Sequence, residues 1–221
     1  MGKAIWEWKT LLYIVQPAHY MEDHSLKKMT IEQHLYNWKG NEKLQGIDKT
    51  LDVLFQEYFN TNTFFEHILI KVCTLNSLYS TQIFDTYSVA KHIYELEVDE
   101  DLLTGDLSLV NRIAKCEISG KSKNFYSFAS KYCAHHKPET YSIYDSFVEK
   151  ALFTFNENDP FDTFKKPELR DYPTFMRVMD NFIQKNHLHE YSLAEVDKYL
   201  WLAGKEFKSK GNEKRIRTKA R

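Results

Sequence analysis

One lysine and one aspartate carry the most definite chemistry in this sequence. Lys131, in FASKYC, and Asp145, in SIYDSFV, stand 14 residues apart on either side of a turn that contains Pro138. A chain that doubles back there brings an amine and a carboxylate together. Burial or a neighbouring cation lowers the pKa of an amine and makes it a nucleophile near neutral pH. An ionised carboxylate stabilises positive charge growing on a sugar carbon. The pair therefore suits attack at a sugar C1′, the aspartate supporting the cation and the lysine forming a Schiff base. Lys121, Lys123 and Lys137 are candidate cationic neighbours, and Tyr79, Phe125, Tyr126, Tyr141 and Tyr144 supply aromatic faces around the motif.

The same residue types have structural uses. An aspartate just before a helix caps it and meets its dipole. A lysine on a helix is commonly a solvated charge, and Asn76 can cap a helix or satisfy a buried backbone group.

The elements that must place these groups read as helices. Thr30 and Gln33 have capping-box spacing ahead of IEQHLYNW, which stops at Gly40. Ile47, Leu51, Leu54, Phe55 and Tyr58 then recur at three- and four-residue steps. Further helical stripes run through Phe65, Ile68, Val72 and Leu75; through Ile83, Phe84, Tyr87, Ala90, Ile93 and Leu96; and through Leu107, Val110, Ile113 and Ala114. VDEDLLTGD reads as an acidic turn and ISGKSK as a loop. Phe125, Phe128, Ala129, Tyr132 and Cys133 mark the helix that bears Lys131, and another runs from Asp145 to Phe155. NENDPFDTFKKPELRD reads as a polar loop before the stripe Phe175, Val178, Met179 and Phe182. Ser192 and Glu195 form a capping box for a last helix that turns Val196, Tyr199, Leu200 and Ala203 inward. Trp6, Trp8, Leu11, Leu12, Tyr13 and Val15 form a strand or a packed arm.

Composition agrees. Hydrophobic residues at 43% and aromatics at 15% supply a sizeable core, while 7 Gly and 5 Pro are too few for a turn-rich sandwich or barrel. The expectation is an all-α, compact helical domain with two helical lobes around a cleft. It divides into an N-terminal arm and short helix over 1–46, a helical domain over 47–204 and a basic tail over 205–221. Cys73, Cys116 and Cys133 are odd in number, and each falls in a helical stretch as a small buried apolar group, which argues against a disulfide framework. No apolar run approaches the roughly 20 residues that span a bilayer. A soluble cytoplasmic protein with no membrane partner follows, nucleoid-associated in a prokaryote. The net charge of −1 hides an asymmetry. Residues 205–221 carry a net +6 and the rest a net −7, so the tail suits phosphate.

In this order of parts the chain resembles the helix-hairpin-helix DNA glycosylase superfamily, and within it the 8-oxoguanine glycosylase branch. The likeness spans roughly residues 60–155: helices around the loop with Gly120, a lysine-bearing helix, and an aspartate after a Pro-containing turn. It implies a DNA N-glycosylase, with AP-lyase activity where the amine acts, that flips an altered base out of duplex DNA. On that resemblance Asp145 is the carboxylate and Lys131 the amine, with Lys123 as rival because it lies nearer Gly120. Gly120, Lys121 and Lys123 would hold backbone phosphate. Asn76, in VCTLNSLYSTQI, would enter the gap beside the flipped base. ISGKSK has one glycine where the family has two, which weakens the close approach to phosphate. The resemblance calls for no cofactor and no metal, and for a monomer.

Other constellations are weaker. Cys133, His135 and His136, and separately His187 and His189, lack the spacing of a zinc site. GKSK lacks the upstream glycine and strand of a P-loop, and no nucleophile elbow supports a hydrolase triad. The competing reading is a catalytically inactive helical module on the same scaffold that binds DNA or a protein. A third is an unrelated helical domain that binds a partner.

Overall fold

The structure, a computed structural model, describes the chain path over residues 30–219 and the side chains over 30–209. The apolar cluster between Trp6 and Val15 lies outside the described residues. Helix α1 covers 30–39. There follow α2 (Glu42–Asp52), a π-helical turn (Val53–Tyr58), α3 (Phe65–Tyr79), α4 (Thr86–Glu95), α5 (Asp99–Thr104) and α6 (Ser108–Ala114). A two-stranded ribbon, β1 (Lys115–Ile118) and β2 (Lys121–Asn124), leads into α7 (Tyr126–His136). Then come α8 (Ser146–Asn158), a 3-10 turn (Lys166–Arg170), α9 (Tyr172–Lys185) and α10 (Leu193–Lys219). The fold is all-α with one small ribbon.

Helix α7 is the axis. Nine of its side chains are buried, and the two that are half-buried, Ser127 and His135, lie on the face that carries Lys131. Its Phe128, Ala129, Tyr132 and Cys133 pack in the core with Phe55, Val72, Val110 and Ile113. On the far side, α8 and α10 cross so closely that a Cβ on Gly204 would sit 2.0 Å from the Phe147 carbonyl oxygen. Glycine at that point is what lets the two backbones meet. Helix α1 rests on α10: His34 meets Tyr199 edge-on at 5.2 Å, and Trp38 meets Trp201 at 5.5 Å.

Four local expectations are corrected. ISGKSK is a β-hairpin, because Ser119 and Gly120 both take positive φ, 51° and 71°, the requirement of a tight two-residue hairpin turn. The acidic stretch is helix α5, since Asp99, Glu100 and Asp101 suit a helix N-terminus and Gly105 ends it in the left-handed region. Part of the polar loop is the 3-10 turn, with a proline in its first positions. Cys116 lies in β1 and Cys73 is exposed, so only Cys116 and Cys133 are buried. The Ser192–Glu195 capping box forms as expected, with Ser192 N–H donating to Glu195 Oε2 at 2.9 Å and Glu195 N–H to Ser192 Oγ at 3.3 Å.

Candidate active site

A cavity of about 890 Å³ opens between the α1–α2 corner, the end of α3, one face of α7, the start of α8 and the start of α10. Both Lys131 and Asp145 line it. The turn at Pro138 returns the chain so that α8 begins beside α7. Two anchors fix that return. Ser130 Oγ accepts from Tyr144 N–H at 3.0 Å and donates to its carbonyl at 3.2 Å. Asp197, on α10, accepts from the Ile143 N–H at 2.8 Å and from the Ser142 hydroxyl. Residues 142–145 are thereby pinned from both sides.

Asp145 stands at the N-cap of α8. Its Oδ1 accepts from Phe147 N–H at 2.8 Å and Val148 N–H at 3.0 Å. Among the described residues Oδ2 receives no hydrogen bond, which leaves it for the cavity. Lys131 is 4% exposed. Its Nζ donates to Ser127 Oγ at 2.7 Å and the Ser127 carbonyl at 3.3 Å, one turn earlier on α7, and lies 5.2 Å from the centre of the Tyr79 ring. Burial pulls its pKa below the ordinary lysine value, and the charges of Asp145 and Asp197 partly oppose that. Burial also pushes Asp197 up to about 7, against the pull of its hydrogen bonds to Ser142 and Ile143. The three groups form one electrostatic unit of an amine and two carboxylates.

Behind the amine, Tyr79 and His135 share a hydrogen bond of 2.9 Å between the hydroxyl and Nε2. Burial raises the Tyr79 pKa well above its usual value and lowers His135 to about 4, so both are neutral at pH 7. The mouth is aromatic and charged. Trp38, Trp201 and Phe147 line it, the last two edge-to-face at 5.8 Å. Trp38 Nε1–H donates to Asp48 at 2.9 Å, and Lys198 pairs with the same carboxylate at 2.8 Å.

The other residues singled out in the sequence lie elsewhere. Gly120, Lys121 and Lys123 are exposed on the ribbon and do not line the cavity, so Lys131 is the amine placed with Asp145. Asn76 is committed within the fold: its Nδ2 donates to the Ile83 carbonyl at 2.8 Å, and its Oδ1 accepts from Thr81 Oγ1 at 2.8 Å and Ile83 N–H at 3.0 Å. It clamps the turn in which Ser80 and Gln82 take positive φ, and that turn, rather than Asn76, reaches the cavity. Cys133, His135 and His136 do not converge. Cys133 is enclosed in the core, His135 faces Tyr79, and His136 Nε2 lies 3.1 Å from Lys71 Nζ. Among the described residues no three His, Cys, Asp or Glu side chains group to hold a metal ion.

Asp197, Ser127, Trp38 and Trp201 escaped the sequence reading. Asp197 had a signal: it follows Val196 and precedes Tyr199 and Leu200 on the inward stripe, where an acid must be partnered. Ser127 is four residues before Lys131, the spacing at which side chains on a helix meet.

Residues 30–140 match the HI_0787_N family, described as an N-terminal domain. That span holds Lys131, while Asp145 and Asp197 lie beyond it. The chain is 42% identical over 164 residues to a protein of Haemophilus influenzae (strain Rd) that carries the name "Uncharacterized protein". The alignment covers 72% of this chain and 79% of that protein. No solved structure matches. By these two likenesses the chain belongs to the HI_0787_N family.

Proposed function

We propose that this protein is a DNA N-glycosylase with AP-lyase activity, which excises an altered base after flipping it from duplex DNA. The observation that carries the reading is one cavity holding a buried amine of lowered pKa beside a capped carboxylate. Asp145 is fixed by two backbone N–H groups on one oxygen, and its other oxygen is left to support the cation that grows at C1′ as the C1′–N bond lengthens. Neutral Lys131 adds to C1′ as the base departs with the bonding electrons. The proton that the amine loses neutralises the departing base, ring opening leaves an iminium, and loss of a C2′ proton expels the 3′ phosphate. Trp38, Trp201 and Phe147 give the extruded base faces to stack on, worth about 1–3 kcal/mol per base. Lys121, Lys123 and the Gly120 turn are free to meet backbone phosphate. The protein would act as a monomer where its DNA lies. Among the described residues no helix is long and apolar enough to cross a membrane.

Borohydride trapping on duplexes with 8-oxoguanine or an abasic site tests this. The wild type becomes covalently attached, and Lys131→Gln does not. A wild type that never traps on either duplex removes the lyase. An adduct that survives Lys131→Gln and vanishes with Lys123→Gln moves the amine to the ribbon.

The competing module is favoured by the capping role of Asp145 and by the single glycine of the ribbon. It predicts salt-sensitive duplex binding with neither excision nor adduct.

A further inference from the structure

The turn that joins α3 to α4 carries the most exposed large apolar side chain among the described residues. Phe84 is 100% exposed. Its neighbours on both sides are fixed. Ile83 is buried, and both its N–H and its carbonyl are bonded to the Asn76 side chain. Asp85 is the N-cap of α4, accepting from Ser88 N–H at 3.0 Å and from Ser88 Oγ at 2.7 Å. Earlier in the turn, Thr81 Oγ1 donates to Asn76 Oδ1 at 2.8 Å, and Ser80 and Gln82 hold positive φ of 52° and 59°. Such angles are strained for residues with a Cβ and persist only where the surroundings impose them. An apolar ring gains by burial, and here the backbone on either side holds it out of the core.

The place of the ring matters as much as its exposure. Ser80, Thr81 and Gln82 line the cavity, and the Phe84 Cα lies within about 7.6 Å of that of Gln82, two residues before it. Beyond the turn, α4 packs on β1. Cys116 Sγ approaches the Ser88 carbonyl at 4.0 Å, and Cys116 is the register partner of Lys123. Lys121 and Lys123 are exposed, and among the described residues neither has a carboxylate within ion-pair distance. Asn124, next in β2, again lines the cavity. The ring therefore stands beside both a hollow of nucleotide size and cations that suit phosphate.

We propose that Phe84 enters the base stack of duplex DNA as the altered nucleotide turns into the cavity, and fills the slot that the nucleotide leaves. A flat aromatic ring stacks on the bases above and below in place of the lost one, which slows the return of the nucleotide to the helix. Asn76, expected in that gap from the sequence, holds the turn that carries the ring. A protein is the weaker occupant, because a single ring is a small part of the roughly 800 Å² per partner that a stable protein interface buries. The inference deepens the glycosylase reading and rests on it for the extruded nucleotide.

The test uses the full chain and a duplex carrying a tetrahydrofuran abasic analogue, which offers the slot with no base to flip and no chemistry at C1′. The wild type binds this duplex more tightly than the intact one. Phe84→Ala lowers that preference by about tenfold, the worth of one base–aromatic stack, and leaves binding to the intact duplex unchanged. Phe84→Trp keeps the preference, and so does Leu103→Ala, exposed on α5 and outside the cavity lining. A wild type without the preference, or an unchanged preference in Phe84→Ala, overturns the wedge, as does an equal loss on both duplexes. Self-association that sedimentation shows in the wild type and not in Phe84→Ala makes the ring a protein contact and overturns it too. Excision reads the same residue: Phe84→Ala slows release of 8-oxoguanine from duplex and not from a single strand, where no stack has to be held open. The two readings fail separately. A preference that follows Phe84 in a protein that never traps with borohydride leaves the wedge standing and the lyase refuted. Trapping by the wild type with a preference indifferent to Phe84 leaves the chemistry standing and the wedge refuted.

Discussion

Among the described residues two lysines are buried, and they are buried differently. Lys71, on α3, is enclosed in the core and saturated. Its Nζ donates to the carbonyls of Phe59 at 3.1 Å and Thr61 at 2.9 Å and to Asn62 Oδ1 at 2.6 Å, and meets His136 Nε2 at 3.1 Å. Asp99 holds Asn62 in place through its backbone and side-chain N–H groups, and Tyr132 donates to the same Asn62 oxygen. The rings of Phe55 and Tyr132 lie 5.6 Å away. Lys131 has Ser127 and the Tyr79 ring, and beyond them the cavity. One ammonium is consumed by structure, closing the chain after the π-helical turn; the other keeps donor capacity for something not yet bound. Burial alone therefore does not mark a reactive lysine. Unspent hydrogen bonding beside a cavity does.

Removing each charge separates the two cases, and the effect on stability is the largest expected. Lys71→Met leaves two carbonyls and an imidazole without their donor, at roughly 1–3 kcal/mol for each unsatisfied group, while the Asn62 oxygen keeps Tyr132. Urea unfolding is expected to show a loss of about 3 kcal/mol or more. Lys131→Met deletes a poorly partnered buried charge and keeps the stem against Tyr79, so stability changes by less than about 1 kcal/mol or rises. Equal losses in the two variants would erase the distinction.

The sequence makes this contrast hard to see. Lys71 sits in LIKVCTL between buried Ile68 and Val72, and Lys131 in FASKYC between Ala129 and Tyr132; both look like helical lysines at apolar stripes. Helix periodicity was legible, because three- and four-residue spacing depends only on local geometry, and so was the order of amine, turn and acid. The partners were not, since Asn62, Asp99 and His136 reach Lys71 from three separate segments. Asp197 likewise reaches the 142–145 turn from more than fifty residues away. The ribbon was misread because KSKN lacks β-branched residues. A two-residue turn and pairing of Lys115 with Asn124 form it in spite of composition.

pH gives a second separation. Burial lowers Lys71 to about 7, with Asp99 opposing. The unfolded chain binds that proton up to its ordinary pKa near 10, so the charging penalty is full below pH 7 and disappears as pH rises toward about 10. Stability attributable to Lys71 therefore rises with pH across that window. Lys71→Met loses this rise, seen as a flatter plot of unfolding free energy against pH between about 7 and 10. A variant that keeps the wild-type slope would show that the ammonium is not desolvated.

The smallest effect concerns Asp197, and it shows how the fold holds Lys131 in reserve. The amine is nucleophilic only after losing its proton, so trapping should rise with pH through the Lys131 pKa. The Asp197 carboxylate opposes that loss, and it also pins the turn before Asp145. Asp197→Asn keeps an acceptor for the Ile143 N–H and a group for the Ser142 hydroxyl while removing the charge. Trapping by this variant is expected to rise at a lower pH than in the wild type, with the plateau rate retained. Asp197→Ala removes charge and anchor together, so the plateau itself falls as Asp145 loses its placement. An unshifted profile in Asp197→Asn would mean that the carboxylate acts on the turn alone, and that Lys131 owes its lowered pKa to burial with no electrostatic counterweight from α10.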